Sequence, residues 1–190
     1  MFEKAVCVFC ASSTECDKTY LHEAGKLGEL LAKAGYRIIY GGGRVGLMGA
    51  LADGALNEGG KITGVVPEIL KELGHEGLTQ LKVVSNLADR KSFMLEQSDC
   101  IVALPGGIGT LDEILEAITW KLLGIKDTPL YIINLKGYFD SLNETLNRTI
   151  AEKFMAERYR NLWKVVSSVE EFLFELNKSL SLNPFPSNLA

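Results

Sequence analysis

Short apolar runs rich in β-branched residues alternate along the whole chain with longer amphipathic stretches, and this alternation constrains the fold more than any other feature. Short runs bounded by turn residues are typical of buried strands, whereas apolar positions spaced three or four residues apart are typical of helices. The predicted strands are Ala5–Phe9, Tyr36–Tyr40, Ile62–Val66, Leu81–Val84, Cys100–Leu104, Pro129–Ile133 and Lys164–Val166. The predicted helices are Lys18–Ala34, Leu47–Glu58, Asn86–Gln97, Leu111–Leu123, Tyr138–Lys153 and Val169–Leu180. Because strands that alternate with helices form βαβ units, the sequence predicts an α/β fold with a doubly wound parallel sheet.

This fold is predicted to form one nucleotide-binding domain over residues 1–180, with a loose tail over residues 181–190. The 190 residues are 47% apolar and 23% charged, which is typical of a globular protein and excludes a disordered chain. Twenty basic and 24 acidic residues give a net charge of −4, which argues against a general binder of nucleic acid or of anionic membranes. No apolar run reaches the roughly 18 residues of a membrane span, and charged residues come too early for a signal peptide, so a cytoplasmic protein is predicted.

The four cysteines raise the question of a redox or zinc site. Cys7 and Cys10 form a C-x-x-C, but a separation of three residues places them on opposite faces of the first predicted strand. A redox pair requires a helix N-terminus and zinc requires a second pair of ligands, and the sequence offers neither. His22 and His75 belong to no ligand motif. Buried, reduced thiols are therefore favoured, and neither a metal nor a cofactor is expected.

The loop after the fifth predicted strand combines features of an anion site. In an open parallel sheet, ligands bind at the carboxyl ends of the strands, and we call this side of the sheet the ligand edge. Here Pro105 is followed by Gly106, Gly107 and Gly109 and then by a helix that carries Thr110. Glycines allow the backbone to approach a ligand closely, and the N–H groups at a helix start attract an anion. Because the chain has no G-x-x-x-x-G-K-[ST] motif, this loop predicts a site for a single phosphate.

The same loop also fits an ordinary helix start. Thr110 and Glu113 have the spacing of a capping box, in which the carboxylate reaches back to the N–H of Thr110. Spacing alone leaves the two interpretations open. Three glycines are more than a cap requires, and this favours a ligand.

A second group of glycines follows the second predicted strand. Gly41, Gly43 and Gly46 match the dinucleotide fingerprint G-x-G-x-x-G, but the usual acidic residue is displaced beyond the end of the next strand. A dinucleotide-dependent oxidoreductase is therefore a weak alternative. Ser12, Gly42 and Gly43 are expected to lie on the ligand edge and to contribute to substrate binding.

Arg90 and Lys91 lie in the first turns of the helix between the fourth and fifth predicted strands. Two cations near a helix N-terminus are unfavourable for the helix dipole, and an isolated pair is usually a solvated basic face, here paired to Asp89. Their position on the ligand edge favours another interpretation, because it brings Arg90 near Glu113 of the phosphate loop. A carboxylate and an arginine beside a phosphate site suit acid–base and electrostatic catalysis.

Together these residues resemble the LONELY GUY (LOG) phosphoribohydrolases, long labelled possible lysine decarboxylases. The segment from Pro105 to Glu113 matches the family motif P-G-G-x-G-T-x-x-E. The opening strand with its loop, the glycine loop at residues 41–49 and the Arg90-Lys91 pair also fit in order, and the resemblance extends to about residue 155. Nothing in the chain supports decarboxylation, which would require pyridoxal phosphate on a lysine.

The resemblance implies a modified Rossmann-like fold with three α/β/α layers and an enzyme that needs no cofactor. Enzymes of this family hydrolyse the N-glycosidic bond of cytokinin riboside 5′-monophosphates, and often of AMP, to free base and ribose 5-phosphate. The implied catalytic pair is Arg90 and Glu113. The implied nucleotide-binding residues are Lys91, Gly106, Gly107, Gly109 and Thr110.

The chain departs from the family pattern at two places. Leu87-Ala88 stands where the family commonly has Met-His, and Ile108 stands where it commonly has Tyr. Both departures concern the preferred base and ribose rather than the reaction.

The family also implies a homodimer, and the apolar face of the Leu111–Leu123 helix suits either an interface or the core. The rival function is a carrier that binds a nucleotide or the molybdenum cofactor on the same scaffold without turnover.

Overall fold

Across residues 4–181, which the computed structural model describes, seven strands form one sheet in which all neighbouring pairs are parallel. The strands are β1 Ala5–Phe9, β2 Arg37–Tyr40, β3 Ile62–Pro67, β4 Gln80–Val84, β5 Cys100–Ala103, β6 Leu130–Ile133 and β7 Lys164–Val166. Their spatial order is β4-β3-β2-β1-β5-β6-β7. Because this order reverses between β1 and β5, the loops after these two strands diverge and open a crevice at the ligand edge.

Six α-helices cover the two faces of the sheet over the same residues. They are α1 Lys18–Lys33, α2 Gly46–Asn57, α3 Leu87–Glu96, α4 Ile108–Leu122, α5 Asp140–Ala151 and α6 Val169–Ser181. Helices α1, α2 and α6 share a core on one face that includes Leu27, Leu51 and Phe172. Helices α3, α4 and α5 share a core on the other face that includes Ile114 and Leu146. The arrangement confirms the doubly wound parallel sheet predicted from the alternation of strands and helices, and the three α/β/α layers that the family resemblance implies.

The predicted strands and helices are all present, and their ends are displaced by at most a few residues. The five inner strands are buried on both faces and therefore form continuous apolar runs, which makes them easy to predict. The two edge strands, β4 and β7, are more exposed. The largest displacement is at α4, which begins at Ile108 rather than at Leu111. Ile108 is 83% exposed and Gly109 has no side chain, so the first turn adds nothing to the apolar pattern that marks a helix.

The capping-box interpretation of Thr110 and Glu113 is wrong. Gly107 is the N-cap of α4, and no side chain forms a cap hydrogen bond there. Thr110 therefore lies in the first helical turn and Glu113 in the second, too far along the helix to reach back to the cap. The side chains of both residues are buried in the protein rather than exposed at the start of the helix.

Cys7 and Cys10 are buried on opposite faces of the sheet, as predicted from their spacing. Burial raises the pKa of both thiols well above the ordinary value, which keeps them protonated and unreactive. Among residues 4–181, no group of His, Cys, Asp and Glu side chains is arranged to hold a metal ion.

The described helices are too short or too polar to cross a bilayer. The predicted tail over residues 181–190 lies outside the described residues, except for Ser181, at which α6 ends. Residues 1–3, part of the segment on which the signal-peptide prediction rests, lie outside them as well.

Candidate active site

The loops after β1 and β5 and the first turns of α3 and α4 enclose a cavity of about 300 Å³ at the ligand edge, which we call the main cavity. It lies where the strand order reverses, which is the usual position of a ligand site in an open parallel sheet. The lining residues are Cys10, Ala11, Ser12, Ser13, Met48, Arg90, Gly107, Ile108, Gly109, Thr110 and Glu113. Six of these were predicted as site residues, namely Ser12, Arg90, Gly107, Gly109, Thr110 and Glu113.

The glycine turn, residues 105–109, forms one wall of the main cavity. Because α4 begins directly after Gly107, the N–H groups of residues 107–110 donate no hydrogen bond to the described part of the chain. A Cβ on Gly106 would lie 2.1 Å from Oγ1 of Thr110, so only glycine allows this hydroxyl to pack against the turn. Space is open around Gly107 and Gly109. The free N–H groups, the positive end of α4 and the Thr110 hydroxyl together suit an anion.

Arg90 from α3 and Glu113 from α4 meet inside the main cavity. Nη1 of Arg90 lies 3.1 Å from Oε1 of Glu113, and the two side chains are 12% and 6% exposed. Nε of Arg90 donates a hydrogen bond of 2.9 Å to the carbonyl of Val65 in β3. A Cβ on Gly41 would lie 2.1 Å from Nη2 of Arg90, so the bare backbone at this position makes room for the guanidinium. Two residues from separate helices are thus held as a fixed pair.

The carboxyl group of Glu113 is poised near neutrality. Burial raises its pKa to about 7, although the Arg90 guanidinium opposes this shift. Near neutral pH the carboxyl is therefore divided between its charged and neutral forms. Such a group exchanges protons readily with a reacting atom, and a shifted carboxyl in a cleft is typical of catalytic sites.

The interpretation of Arg90 and Lys91 as a solvated basic face paired to Asp89 is wrong. Asp89 belongs to the N-terminal cap of α3: its N–H donates to Oδ1 of Asn86 at 2.9 Å, and its carboxylate accepts from Nδ2 of Asn86 at 3.1 Å. The side chains of Arg90 and Lys91 are largely buried instead. Arg90 is held by Glu113, as its position on the ligand edge predicts, whereas the contacts of Lys91 with Asp112 and Glu116 are not indicated by the sequence alone.

Lys91 does not line the main cavity. Its Nζ lies 2.8 Å from Oδ2 of Asp112 and also contacts the carboxylate of Glu116. Hydrogen bonds to Asp112 and Glu116 raise the pKa of Lys91, which keeps it charged. The cation therefore joins α3 to α4 beside the Arg90–Glu113 pair.

Two glycines predicted to bind substrate, Gly42 and Gly106, lie behind the cavity walls. The carbonyl of Gly42 accepts a hydrogen bond of 2.9 Å from the N–H of His75. The carbonyl of Gly106 accepts one of 2.6 Å from the hydroxyl of Tyr138. These two glycines shape their loops, and the residue that follows each of them lines a cavity.

A second, mostly apolar cavity of about 380 Å³ adjoins the main one, and we call it the apolar cavity. The two share Ser12, Met48 and Arg90, so a ligand can extend from one into the other. Its other lining residues are Gly41, Gly43, Arg44, Val45, Val66, Leu70 and Leu73. The outer wall is not predicted from the sequence, because its leucines lie in a short 3₁₀ turn, Glu68–Leu73, after β3. The one available signal was the apolar side chains of a segment outside every predicted element.

The chain as a whole matches a known family. The family model described as "Possible lysine decarboxylase" matches residues 48–176. The chain is 37% identical over 175 residues to the cytokinin riboside 5′-monophosphate phosphoribohydrolase LOG1 of Arabidopsis thaliana, an alignment that covers 91% of this chain and 82% of that protein. The chain belongs to the LONELY GUY family.

A second relative supports the assignment to the LONELY GUY family, and a solved structure supports the fold. The chain is 38% identical over 170 residues to the cytokinin riboside 5′-monophosphate phosphoribohydrolase of Rhodococcoides fascians, which covers 88% of this chain and 86% of that protein. The solved molybdenum cofactor carrier protein of Chlamydomonas reinhardtii superposes with a TM-score of 0.75 over 95% of this chain and 99% of that one, at 21% identity. At this identity the likeness shows the fold alone, and it confirms the Rossmann-like fold expected of the LONELY GUY family.

Proposed function

We propose that the protein is a phosphoribohydrolase. It cleaves the N-glycosidic bond of nucleoside 5′-monophosphates, cytokinin riboside 5′-monophosphates and AMP among them, to free base and ribose 5-phosphate. The observation that carries the proposal is the Arg90–Glu113 pair, 3.1 Å apart in a cavity walled by the N-terminus of α4. Relatives that are 37% and 38% identical bear the name of this activity.

The glycine turn is the proposed site of the 5′-phosphate. The N–H groups of residues 107–110 have no acceptor in the described part of the chain, and Thr110 adds a hydroxyl donor. Donors at the positive end of a helix suit a single phosphate group. Binding energy from this remote phosphate is then available to stabilise the transition state at C1′, which makes nucleosides poor substrates.

Glu113 is the proposed carboxylate that acts at C1′, the carbon at which the N-glycosidic bond breaks. As the bond between C1′ and the base nitrogen breaks, its electron pair leaves with the base and C1′ becomes an oxocarbenium-like cation. A carboxylate beside this carbon stabilises the cation and takes a proton from the water that adds to C1′, while the departing base nitrogen takes up a proton from solvent. The buried position of Glu113 strengthens both effects, because few water molecules screen its charge.

Arg90 is the proposed electrostatic partner of the leaving base. Its pKa is too high for it to act as a general acid, so it acts by charge and by its fixed hydrogen-bond geometry. It lines both cavities, and this supports a position between the ribose and the base of the bound substrate. A guanidinium there stabilises the negative charge that develops on the departing base.

The apolar cavity favours a base that carries an apolar substituent. Met48, Leu70 and Leu73 supply much of its wall, and it opens from the main cavity at Arg90. Burial of each methylene group contributes about 0.8 kcal/mol, so a short branched hydrocarbon on adenine gains affinity there that adenine itself lacks. Prenylated adenine nucleotides are therefore the proposed preferred substrates.

A homodimer is the proposed assembly, as the family implies. Leu87 in α3, Leu115 in α4 and Leu123 just after α4 are all exposed, and their helices border the main cavity. The rest of the apolar face of α4 belongs to the core, where Ile114 and Ile118 are buried. Sedimentation should give a mass twice that of one chain, and a monomer at micromolar concentration would contradict this assembly.

The function is tested by incubating the protein with AMP, isopentenyladenosine 5′-monophosphate and adenosine, and assaying free base and ribose 5-phosphate. We expect release from both nucleotides, faster from the prenylated one, and little release from adenosine. Tight nucleotide binding without any released base would refute hydrolysis and favour the carrier function instead. Glu113→Ala is the control, because it should abolish release while the nucleotide still binds.

A further inference from the structure

The glycine turn is held from outside by a tyrosine that the proposed function does not use. The hydroxyl of Tyr138, in the loop between β6 and α5, donates a hydrogen bond of 2.6 Å to the carbonyl of Gly106. The preceding carbonyl, of Pro105, accepts a hydrogen bond of 3.3 Å from the N–H of Ala11. Two successive carbonyls of the turn are thus engaged by the protein, while the N–H groups that follow are free.

The direction of the Gly106 carbonyl fixes the direction of the next N–H. The described residues contain no cis peptide bond, and in a trans peptide the C=O and N–H groups point in opposite directions. Gly106 and Tyr138 line a separate cavity of about 150 Å³ behind the turn, and neither lines the main cavity. Gly107 lines both cavities. With its carbonyl held on the Tyr138 side, this peptide therefore directs the Gly107 N–H toward the main cavity.

Without the Tyr138 hydroxyl, little else would fix the orientation of the peptide group between Gly106 and Gly107. It joins two glycines, and neither has a Cβ that restricts rotation about the neighbouring backbone bonds. Rotation would turn the carbonyl oxygen, with its partial negative charge, toward the place proposed for the phosphate. With the carbonyl in place of the N–H, the phosphate would lose one charge-assisted hydrogen bond and would be repelled by the carbonyl oxygen.

Tyr138 is itself held firmly. The N–H of Phe139 donates to Oδ1 of Asn134 at 2.7 Å, and the N–H of Asn134 donates to the carbonyl of Val166 at 2.8 Å. The ring of Tyr138 packs edge to face against Tyr20, with ring centroids 6.1 Å apart. The loop is therefore anchored to the sheet and to α1, which holds the hydroxyl against the glycine turn.

We propose that Tyr138 is a positioning residue that directs the Gly107 N–H at the substrate phosphate and thereby sets the affinity for the phosphate-bearing part of the substrate. The inference rests on the proposed function, because it takes the glycine turn as the phosphate site. Tyr138 contacts neither Arg90 nor Glu113, so its contribution lies in binding rather than in bond cleavage.

The test compares the wild type with Tyr138→Phe, which removes one oxygen atom and keeps the ring. Tyr20→Phe is the matched control, because its hydroxyl makes no hydrogen bond within residues 4–181 while its ring packs on Tyr138. Ribose 5-phosphate is titrated calorimetrically at a temperature at which circular dichroism shows each protein folded. We expect Tyr138→Phe to bind ribose 5-phosphate about tenfold more weakly and Tyr20→Phe to bind it as the wild type does. With AMP, Tyr138→Phe should raise KM about tenfold and leave kcat within about threefold.

Each outcome decides the inference. Unchanged affinity in Tyr138→Phe, an equal loss in Tyr20→Phe, or a fall in kcat at constant KM overturns it and leaves the proposed function standing. A wild-type protein that binds no ribose 5-phosphate overturns it as well. A protein that releases no base but binds ribose 5-phosphate in a Tyr138-dependent way supports it, and in that case only the proposed function fails.

Discussion

The carboxyl group of Glu113 lies 3.1 Å from the guanidinium of Arg90, yet its pKa is raised to about 7 rather than lowered. Beside an arginine an exposed carboxylate titrates below its usual range, so the raised pKa shows that burial outweighs the ion pair. Removing both charges from water is unfavourable, and a single contact does not fully compensate for it. The fold thus keeps a weakly stabilised acid buried in the wall of the main cavity, which is expected where the group serves the reaction.

The first prediction concerns the pH dependence of the reaction. If Glu113 acts as a carboxylate, kcat/KM should rise about tenfold per pH unit toward pH 7 and level off above it, following its pKa. Glu113→Gln should lower kcat by a factor of about 10² to 10⁴ and remove this limb. Initial rates of adenine release from AMP between pH 5 and pH 9 measure both effects. If kcat/KM of Glu113→Gln still rises with pH in the same way, the rise is caused by ionisation of the substrate phosphate instead.

The second prediction concerns stability. Glu113 binds its proton more tightly in the folded protein, with a pKa of about 7, than in the unfolded chain, where the pKa is about 4.3. Stability is therefore lost as the pH rises through this window, and Glu113→Gln, which cannot ionise, should escape the loss. The variant should gain stability relative to the wild type between pH 5 and pH 8, approaching roughly 3 kcal/mol. Urea unfolding at both pH values measures this gain.

Glu144→Gln, on an exposed position of α5, is the control for this stability effect. It removes the same charge from the chain but from a site in contact with water. Its stability relative to the wild type should change little between pH 5 and pH 8. An equal pH-dependent gain in both variants would show that the net charge, rather than the burial of Glu113, is responsible.

The third prediction concerns Gly41. A Cβ at this position would lie 2.1 Å from Nη2 of Arg90 and 2.8 Å from Cε of Met48. Gly41→Ala should therefore displace the guanidinium from Glu113 and lower kcat by at least about tenfold, since misplacement by about 1 Å reduces rates strongly. Gly25→Ala in α1 is the control, because its Cβ would meet the nearest atom at an ordinary 3.5 Å. An equally active Gly41→Ala variant would show that the position of Arg90 is not critical.

The sequence was sufficient for the fold and for the meeting of Arg90 with Glu113. The five inner strands are buried, continuous apolar runs, so most of the order of elements could be predicted directly. The rule that ligands bind at the carboxyl ends of such strands then placed the loops of α3 and α4 on one edge. That rule depends on chain topology alone, which is why it requires no side-chain coordinates.

The roles of individual side chains were less accessible from the sequence. Adjacent residues on a helix point about 100° apart, so Arg90 and Lys91 leave α3 in different directions. Which of them faces the main cavity depends on how α3 docks against α4, and this is decided by contacts distant in sequence such as that between Lys91 and Asp112. The apolar cavity escaped prediction for a similar reason, because its outer wall lies in a turn with no periodic pattern.

The fourth prediction concerns Lys91. Its charge is neutralised by Asp112 and Glu116 outside the main cavity, so we expect it to act by holding α3 against α4. Lys91→Gln should lower kcat about tenfold through the Arg90–Glu113 geometry, while the affinity for ribose 5-phosphate stays within about twofold. Lys178→Gln, at an exposed position of α6, is the control for the loss of one positive charge. If Lys91 contacts the phosphate directly, the affinity for ribose 5-phosphate should fall instead.

The last prediction concerns the base. Leu70 and Leu73 line the apolar cavity from the 3₁₀ turn after β3, whereas Ile69 of the same turn is 89% exposed and does not line it. Leu70→Ser combined with Leu73→Ser should lower kcat/KM for isopentenyladenosine 5′-monophosphate about tenfold, because the hydrocarbon loses the apolar surface that it contacts. The value for AMP should change little, so the ratio of the two substrates measures the effect. Ile69→Ser should leave that ratio unchanged. Equal losses for both substrates would place the base substituent outside the apolar cavity.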